Sequence, residues 1–299
     1  MFSRCHLYRL RSIHALANRI GRRLDRLQSL ATEKPYRVYK LRSTGRIVEE
    51  PSQELQSLHR QFHRYFTKIQ TPNYLYSSVK GKSYVMNAQR HVNDYNLIKI
   101  DIKSFYPSTS KKRIFHFFNK DLQCARDVSG LLADLVSFNG HLPTGSSVSP
   151  MLSFLCYRDM FDAIYRVAEE SGATMTCYVD YIVLSGPGVN RNMMHSLVGI
   201  IMKYGLRAHK LKFYEHDRSK MVTGVVVTSK GISLPYSRWR KIKNDLKCVA
   251  STPEGPELDA ALTRAISRLN EAGQIETKCI RMAGALVQKR RRIAHIAGS

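Results

Sequence analysis

The sequence contains few acidic residues, a single tryptophan and no long apolar segment. Asp and Glu together number 23 against 48 Lys and Arg, so the net charge is +25. No run approaches the roughly 20 apolar residues that a membrane-spanning helix needs. The six cysteines are scattered and form no Cys-x-x-Cys pair. This pattern argues against a zinc site or a disulfide framework, and it favours a reducing cytosol.

The positive charge is confined to the two ends of the chain. Residues 1–100 have a net charge of +13 and residues 201–299 of +12, whereas residues 101–200 are neutral, with nine basic and nine acidic residues. A hydrophobic fraction of 43% is enough for a packed core. A folded chain with this excess of positive charge calls for a polyanionic partner, and nucleic acid is the commonest one.

The first 30 residues predict an amphipathic helix with a basic face. Apolar residues recur every three or four positions and keep their phase; they are Leu7, Leu10, Ile13, Leu16, Ile20, Leu24 and Leu27. The same stretch holds seven arginines, a composition that transit peptides share. We expect a folded helix whose basic face is available to phosphates; a solvated basic helix without a ligand is the alternative.

Local patterns predict further elements along the chain. Strands are expected over 97–102 and in two hairpins, 175–184 and 221–231, the second with its turn at residues 229–231. A helix is expected over 150–170, with Ser149 as its N-cap and Pro150 at its first position. Two helices are expected after the breaker cluster at 252–256, over about 257–270 and 277–294.

Three segments in the middle third resemble motifs A, B and C of reverse transcriptases in their order and spacing. The first is Asp101 with an aromatic residue five positions later, the second is the loop 142–150 (Leu-Pro-Thr-Gly-Ser-Ser-Val-Ser-Pro), and the third is Tyr-Val-Asp-Tyr at 178–181. Retron reverse transcriptases also carry Asn-Ala-x-x-His before motif A and Val-Thr-Gly after motif C, as found here at 87–91 and 222–224. The resemblance to retron reverse transcriptases covers roughly residues 35–230.

This resemblance implies an α+β right-hand polymerase fold, with fingers, an antiparallel-sheet palm and a helical thumb. The implied domains are an N-terminal basic amphipathic helix over 1–30, fingers over 31–95 and 111–149, palm over 96–110 and 150–228, and thumb over 229–299. The implied activity is RNA-directed DNA polymerase, a nucleotidyltransferase that uses two Mg²⁺ ions. Such ions stabilise the charged transition state of phosphoryl transfer and need clustered oxygen ligands.

The resemblance also implies a catalytic role for particular residues. Asp101, Asp180 and the backbone carbonyl of Ile102 would bind the metal ions. Lys212 would protonate the leaving pyrophosphate, with Lys210 as the rival for that role.

Other residues would contact the nucleotide and the primer. Arg46 would meet the triphosphate, or else be a plain basic surface residue. Tyr106 would pack against the sugar and exclude a 2′-hydroxyl, its alternative being a core aromatic. Pro143 would stiffen the motif B loop, and Gly145 would let the backbone approach the nucleotide. Tyr178 would lie under the primer end.

The two additional segments would recognise a structured RNA. The residues concerned are Asn87, His91, Val222, Thr223 and Gly224. Amide, imidazole and hydroxyl groups can bond the 2′-hydroxyls and phosphates of a wide RNA minor groove. A purely structural role, in which Asn87 and His91 cap local backbone, is the alternative.

The sequence departs from the family at two positions. Tyr181 stands where the family has the second aspartate of motif C, and a tyrosine is neutral at pH 7. Either Asp101 and Asp180 suffice for activity, or Tyr181 marks an inactivated chain. Thr144 stands in motif B where many relatives have glutamine, which changes the expected nucleotide contacts.

The retron resemblance implies a specific product. The enzyme would copy part of a cognate structured non-coding RNA into branched multicopy single-stranded DNA (msDNA), self-primed from a guanosine 2′-hydroxyl, in bacterial antiphage (antiviral) defence. Its partners would be that RNA, the msDNA, dNTPs and a retron effector protein, in the bacterial cytoplasm and without a membrane. The alternatives are a catalytically impaired scaffold that binds RNA and DNA, or a group II intron-like reverse transcriptase.

Overall fold

The computed structural model describes residues 2–297, which divide into two compact units. Unit 1 comprises residues 2–83 and 96–213, and unit 2 comprises residues 84–95 and 214–297. Met1 and residues 298–299, which the predicted domain ranges include, lie outside the described residues. Helices and antiparallel strand pairs occur in both units, which confirms the α+β class.

The N-terminal region contains two α-helices, so the prediction of a single helix over 1–30 is wrong. A short 3₁₀ turn at Phe2–Arg4 precedes α1 (Ile13–Ile20) and α2 (Leu24–Glu33). The Ser12 hydroxyl caps α1, and Gly21, at φ 70°, ends it in the left-handed conformation. The three-to-four-residue spacing of apolar residues continues from α1 into α2 because the apolar residues of both helices pack into one core.

A two-stranded hairpin follows the N-terminal helices. Strands β1 (Tyr36–Lys40) and β2 (Ile47–Pro51) pair antiparallel, and their register places Lys40 opposite Ile47. The helix α3 (Gln53–Phe66) comes directly after β2. The turn between the strands contains Arg46, which is exposed.

A four-stranded sheet forms the centre of unit 1. Its strands are β3 (Leu97–Ile102), β4 (Thr174–Tyr178), β5 (Tyr181–Ser185) and β6 (Ala208–Tyr214), in the spatial order β4-β5-β3-β6. Strand β5 pairs antiparallel with both β3 and β4. Ile98, Ile100 and Ile102 are fully buried, so the predicted strand and its apolar residues are confirmed.

Helices surround this sheet and complete the core of unit 1. They are α5 (Phe105–Ser108), α6 (Lys111–His116), a π-helical turn (Phe117–Asp121), α7 (Arg126–Val136), α8 (Ser149–Cys156), α9 (Arg158–Glu170) and α10 (Arg191–Lys203).

The predicted single helix over 150–170 is two helices, α8 and α9, separated at Tyr157. The Tyr157 backbone leaves the helical region (φ −117°, ψ 19°), and its hydroxyl donates to the Ser108 carbonyl at 3.1 Å. Ser149 is also not the N-cap, because Val148 occupies that position and the Ser149 hydroxyl donates to the Pro143 carbonyl at 2.7 Å. Tertiary hydrogen bonds therefore override the local helix signals.

Unit 2 combines a small sheet with helices. It contains α4 (Tyr84–Gln89), a meander of β7 (Lys220–Val222), β8 (Val225–Thr228) and β9 (Gly231–Ser233), and the helices α11 (Tyr236–Ser251), α12 (Pro256–Gly273) and α13 (Thr277–Ala297). The sequence predicted one hairpin here and missed α11. Only three residues of α11 are buried, so the sequence carries too few regularly spaced apolar residues to indicate a helix there.

The grouping of segments differs from the predicted domains. Residues 84–95, assigned to the fingers, and residues 214–228, assigned to the palm, both lie in unit 2. Hydrogen bonds explain why: the Lys220 ammonium donates to the carbonyls of Asn93 and Tyr95, and the Thr223 hydroxyl donates to the Tyr84 carbonyl at 2.8 Å.

Two expectations about the whole chain can be checked directly. All six cysteines are free thiols. Within residues 2–297, no helix combines the length and the apolar character needed to cross a bilayer.

Candidate active site

The two predicted metal-binding aspartates lie side by side in unit 1. Asp101 is near the end of β3 and only 5% exposed, and its register partner on β5 is Tyr181. Asp180 occupies the tight turn between β4 and β5. The Ile102 N–H donates to the Asp180 carbonyl at 2.9 Å, and this main-chain bond fixes the turn against the end of β3.

The β4–β5 turn has a strained backbone. Val179 adopts φ 58°, a left-handed conformation that is unfavourable for a β-branched residue. Its N–H donates to the Ser77 hydroxyl at 2.9 Å. That bond holds the strained turn in place, and with it the position of Asp180.

The site is electrostatically suited to a hard cation. Burial raises the pKa of Asp180 to about 6, with the negative charge of Asp101 as the second cause, while Arg46 and Lys210 act in the opposite direction. Two carboxylates that repel each other at neighbouring strand ends are a donor set that fits Mg²⁺. The carbonyl of Ile102 belongs to the same strand end.

Of the two candidate lysines, Lys210 is the one next to the aspartates. Its ammonium nitrogen lies 3.6 Å from Asp101 Oδ2. Lys212 instead contributes to lowering the pKa of Lys99, behind the leading effect of burial, which places its charge near Lys99. Within the described residues, no ion pair joins Lys212 to either aspartate.

Tyr181 changes the chemistry of the site. Burial raises the pKa of its hydroxyl, followed by the charges of Asp101 and Asp180 and a hydrogen bond to the Asp101 side chain. The Lys99 ammonium lies 4.8 Å from the centroid of the Tyr181 ring, within cation–π range. Where the family has a third carboxylate, this chain therefore has a neutral donor backed by a cation.

Three residues predicted to contact the nucleotide or the primer, Arg46, Tyr106 and Tyr178, interact electrostatically with each other or with Asp180. Tyr106 is partly buried beside Phe105, with ring centroids 6.3 Å apart. Burial raises the pKa of Tyr106, and the charges of Asp180, Arg46 and Tyr178 also act on it. Tyr106, Arg46 and Tyr178 are thus close enough to Asp180 to share one electrostatic environment.

The packing of β2 gives a structural reason for glycine at position 145. A Cβ there would lie 2.7 Å from the Glu49 carbonyl oxygen and 3.0 Å from Glu50 Cα. The backbone that approaches Gly145 is therefore that of β2, and the Gly145 N–H donates to the Glu49 carbonyl at 3.1 Å. Pro143, also in this loop, accepts a hydrogen bond from Ser149.

Sequence reasoning missed three residues that support this loop. Glu49 and His59 are distant from motif B along the chain, and they hydrogen-bond to Thr144 and Ser146 of the loop. His141 directly precedes the loop and contacts the Glu49 carboxylate. The only local signal was Asn139-Gly140, which is typical of a tight turn preceding His141. Nothing in the sequence indicated what His141 contacts.

The two segments predicted to recognise RNA, 87–91 and 222–224, both lie in unit 2. Thr223 (φ 45°) and Gly224 (φ 80°) form the tight turn between β7 and β8, and Thr223 is bonded to Tyr84 at the start of α4. The Thr223 conformation is rare for a β-branched residue. The Thr223–Tyr84 hydrogen bond therefore brings the two segments next to each other; their role in RNA recognition stays a prediction.

Asn87 and His91 are nevertheless fully buried. Burial lowers the pKa of His91 to about 3, assisted by the charges of Arg90 and Lys220, so its imidazole is neutral. Within the described residues, neither side-chain atom of the Asn87 amide has a hydrogen-bond partner. The Asn87 side chain therefore lies away from the surface and does not form the backbone cap that was the alternative to RNA recognition.

With paired aspartates on a β-hairpin and a neighbouring strand, the chain has the site architecture expected of a nucleotide polymerase, and comparison with known proteins agrees. It is 29% identical over 193 residues to the retron Se72 reverse transcriptase of Salmonella heidelberg, covering 61% of this chain and 51% of that protein. It is 26% identical over 237 residues to the retron Ec86 reverse transcriptase of Escherichia coli, covering 76% and 74%. The chain is therefore similar to retron reverse transcriptases over most of its length, which confirms the resemblance found in its motifs.

The extent of these matches is limited. The chain spans about half the length of the Se72 protein. No family model matches it. A solved structure of a foamy viral protease–reverse transcriptase with double-stranded DNA is similar with a TM-score of 0.48 and 15% identity, covering 80% of this chain and 36% of that one.

Proposed function

We propose that the chain is an RNA-directed DNA polymerase that uses two Mg²⁺ ions. The observation that carries this proposal is the position of Asp101 beside Asp180, fixed by the Ile102–Asp180 hydrogen bond of 2.9 Å. Both carboxylates and the Ile102 carbonyl would hold the metal. When bound, the ions would stabilise the charge that develops in phosphoryl transfer.

Other residues would bind the nucleotide and move its protons. Arg46 would contact the triphosphate, and Tyr106 would pack on the sugar and exclude a 2′-hydroxyl. Lys210 is our first candidate for protonating the leaving pyrophosphate because it lies 3.6 Å from Asp101. Lys212 is the second candidate.

We further propose that the template is a cognate structured RNA. The chain would copy part of it into branched msDNA, primed from a guanosine 2′-hydroxyl, in antiphage defence in the bacterial cytoplasm, together with an effector protein. The similarity to retron reverse transcriptases supports this assignment. The basic ends of the chain, +13 and +12, would neutralise phosphates of the RNA and its DNA copy.

Co-expression with the neighbouring RNA gene tests this function. Extracted nucleic acid should contain DNA joined to RNA through a 2′–5′ branch, and purified protein should extend a primer with dNTPs and Mg²⁺. Asp101→Asn is the matched control, because it removes a metal ligand with little change in volume. Absence of branched DNA with the unsubstituted chain would reject the retron assignment, and absence of extension would reject the polymerase.

A second candidate, a non-catalytic scaffold that binds RNA and DNA, is favoured by Tyr181. A hydroxyl donor replaces a metal ligand there, and Lys99 and Lys210 add positive charge around Asp101. A scaffold would bind the RNA tightly and incorporate no nucleotide even with Mn²⁺. Incorporation in either metal would exclude this role.

A further inference from the structure

The carboxylate of Glu49 lies at the junction between the β1–β2 hairpin and the motif B loop. Glu49 is 8% exposed. Its carboxylate faces His141 Nε2 at 3.0 and 3.2 Å and accepts from the Thr144 N–H at 3.3 Å. A nearly buried carboxylate with these partners is held in one orientation, because leaving it unpaired would be costly.

Thr144 completes the junction through its hydroxyl. Its Oγ1 accepts from the Glu49 N–H at 3.1 Å and donates to the Ile47 carbonyl at 3.0 Å. The Thr144 side chain thus bonds main-chain groups of β2 that a neighbouring strand would otherwise bond. We call Glu49, His141 and Thr144 the Glu49 network.

His141 is delivered to this network by a tight turn. Asn139 (φ 48°) and Gly140 (φ 79°) have the two positive φ angles of a type I′ turn, closed by reciprocal backbone bonds between Phe138 and His141. The His141 Nδ1 faces the Asn139 carbonyl at 3.1 Å. The turn and the Nδ1 contact therefore hold the His141 imidazole in an orientation in which Nε2 faces Glu49.

The network is one peptide unit away from the predicted triphosphate contact. Thr144 holds the carbonyl of Ile47, the residue after Arg46. The charge of Arg46 in turn acts on Asp180, Tyr106 and Tyr181. Arg46 is exposed and its carbonyl accepts from the Leu41 N–H at 2.8 Å, so its backbone moves with the β1–β2 hairpin.

We propose that the Glu49 network positions the β1–β2 hairpin on the motif B loop and thereby sets the affinity of the site for the incoming nucleotide. Glu49, His141 and Thr144 are positioning residues that act through Arg46. This inference rests on the proposed polymerase function. It also assigns a role to Thr144, where many relatives have glutamine.

A pair of substitutions at one position isolates the network. Thr144→Val keeps the shape of the side chain and removes the hydroxyl, whereas Thr144→Ser keeps the hydroxyl. The full chain is bound to a primer–template whose primer is dideoxy-terminated, and dNTP is titrated in Ca²⁺ while formation of the ternary complex is followed on native gels. This readout measures nucleotide affinity without requiring chemistry.

We expect Thr144→Val and Glu49→Ala to weaken dNTP binding about tenfold. Thr144→Val removes the hydroxyl bonds to the Glu49 N–H and the Ile47 carbonyl, and Glu49→Ala removes the carboxylate that faces His141 and the Thr144 N–H. Thr144→Ser should retain the affinity of the unsubstituted chain. Glu50→Gln, an exposed position on the same strand, is the control and should also retain it. In primer extension the KM for dNTP should rise while kcat stays within about threefold.

A double-mutant cycle tests whether the effect passes through Arg46. In an Arg46→Ala background, Thr144→Val should cause no further loss of affinity, because the positioned group is already absent. Additive losses would overturn the proposal, as would equal affinities for Thr144→Val and Thr144→Ser, or no dNTP binding by the unsubstituted chain. Nucleotide binding without incorporation would reject the polymerase function and leave the network supported.

Discussion

At the scale of single residues, Tyr181 is the position that we expect to limit metal binding at the proposed site. It pairs with Asp101 across β3 and β5, and burial together with the charges of Asp101 and Asp180 raises the pKa of its hydroxyl. An ion at Asp101 would have to compete with the Lys210 ammonium, 3.6 Å from its carboxylate, and would find a neutral hydroxyl at Tyr181. The same substitution leaves Asp180 as the one carboxylate of the β4–β5 turn.

Tyr181→Asp should therefore strengthen metal binding. Adding a carboxylate raises the charge of the donor set, and we expect Mn²⁺ affinity, measured by electron paramagnetic resonance, to rise about tenfold or more. Primer extension should rise in parallel. Tyr181→Phe is the control that removes the hydroxyl without adding charge. Equal Mn²⁺ affinity in Tyr181→Asp and the unsubstituted chain would contradict the hypothesis that Tyr181 weakens metal binding.

Gly145 offers a second test at the residue scale. Gly145→Ala would push a Cβ against the Glu49 carbonyl, 2.7 Å away, and we expect a loss of about 1–3 kcal/mol in the free energy of unfolding. Gly130→Ala is the matched control, because nothing lies within 4 Å of a Cβ there and the position is helical. Urea denaturation of both variants measures the difference; equal stability would show that β2 can shift away.

At the scale of elements, a buried histidine links α3 to the motif B loop. His59 Nε2 donates to the Leu135 carbonyl at 2.8 Å, so its Nδ1 accepts from the Ser146 hydroxyl at 2.7 Å. Burial lowers the pKa of His59 to about 4, although the Leu135 bond opposes the shift. The imidazole is neutral in the folded chain and joins three segments.

This linkage predicts acid sensitivity. Because the pKa of His59 is lower in the folded than in the unfolded chain, the unfolded chain binds more protons between pH 6.5 and 4, and stability falls as the pH drops through that interval. The loss should reach about 2–3 kcal/mol. Urea denaturation across this range should show a shallower pH dependence for His59→Asn, while His14→Asn, at an exposed position, should behave like the unsubstituted chain. The same pH dependence of the free energy of unfolding in the unsubstituted chain, His59→Asn and His14→Asn would contradict this prediction.

The sequence allowed the elements around the aspartates to be predicted, but not the contacts that support them. The apolar run at 97–102 and the hairpin at 175–184 carry local patterns, and the motif spacing identified Asp101 and Asp180. Glu49 and His141 are separated by 92 positions, and no periodicity encodes their meeting. Helix α11 escaped prediction because few of its residues are buried, and the break at Tyr157 depends on a bond to a distant carbonyl.

At the scale of the whole molecule, the charge is divided in the same way as the proposed chemistry. The neutral middle third contains both aspartates, where surplus fixed cations would compete with metal. The positive ends hold the surface charge available to phosphates. Arginines near the N-terminus are partly neutralised by acidic neighbours, as in the pairs that Arg22 and Arg26 form with Glu54.

Nucleic-acid affinity should consequently depend steeply on salt. If six or more phosphates are neutralised, affinity for an RNA–DNA duplex should fall about a thousandfold between 50 and 200 mM salt. Fluorescence anisotropy titrations at several salt concentrations measure the slope. A slope near zero would show that the basic ends do not contact the backbone.

Unit 2 is built from two segments that are far apart in sequence, and this limits which parts of the chain can be replaced independently. Residues 84–95 supply the carbonyls that accept from Lys220 and Thr223, although all of unit 1 from residue 96 to residue 213 lies between them in sequence. A C-terminal fragment beginning at Tyr214 would lack those acceptors. Exchange of the C-terminal region between relatives would succeed only if the short upstream stretch were exchanged with it. Two segments far apart in the gene are thus expected to be inherited as one.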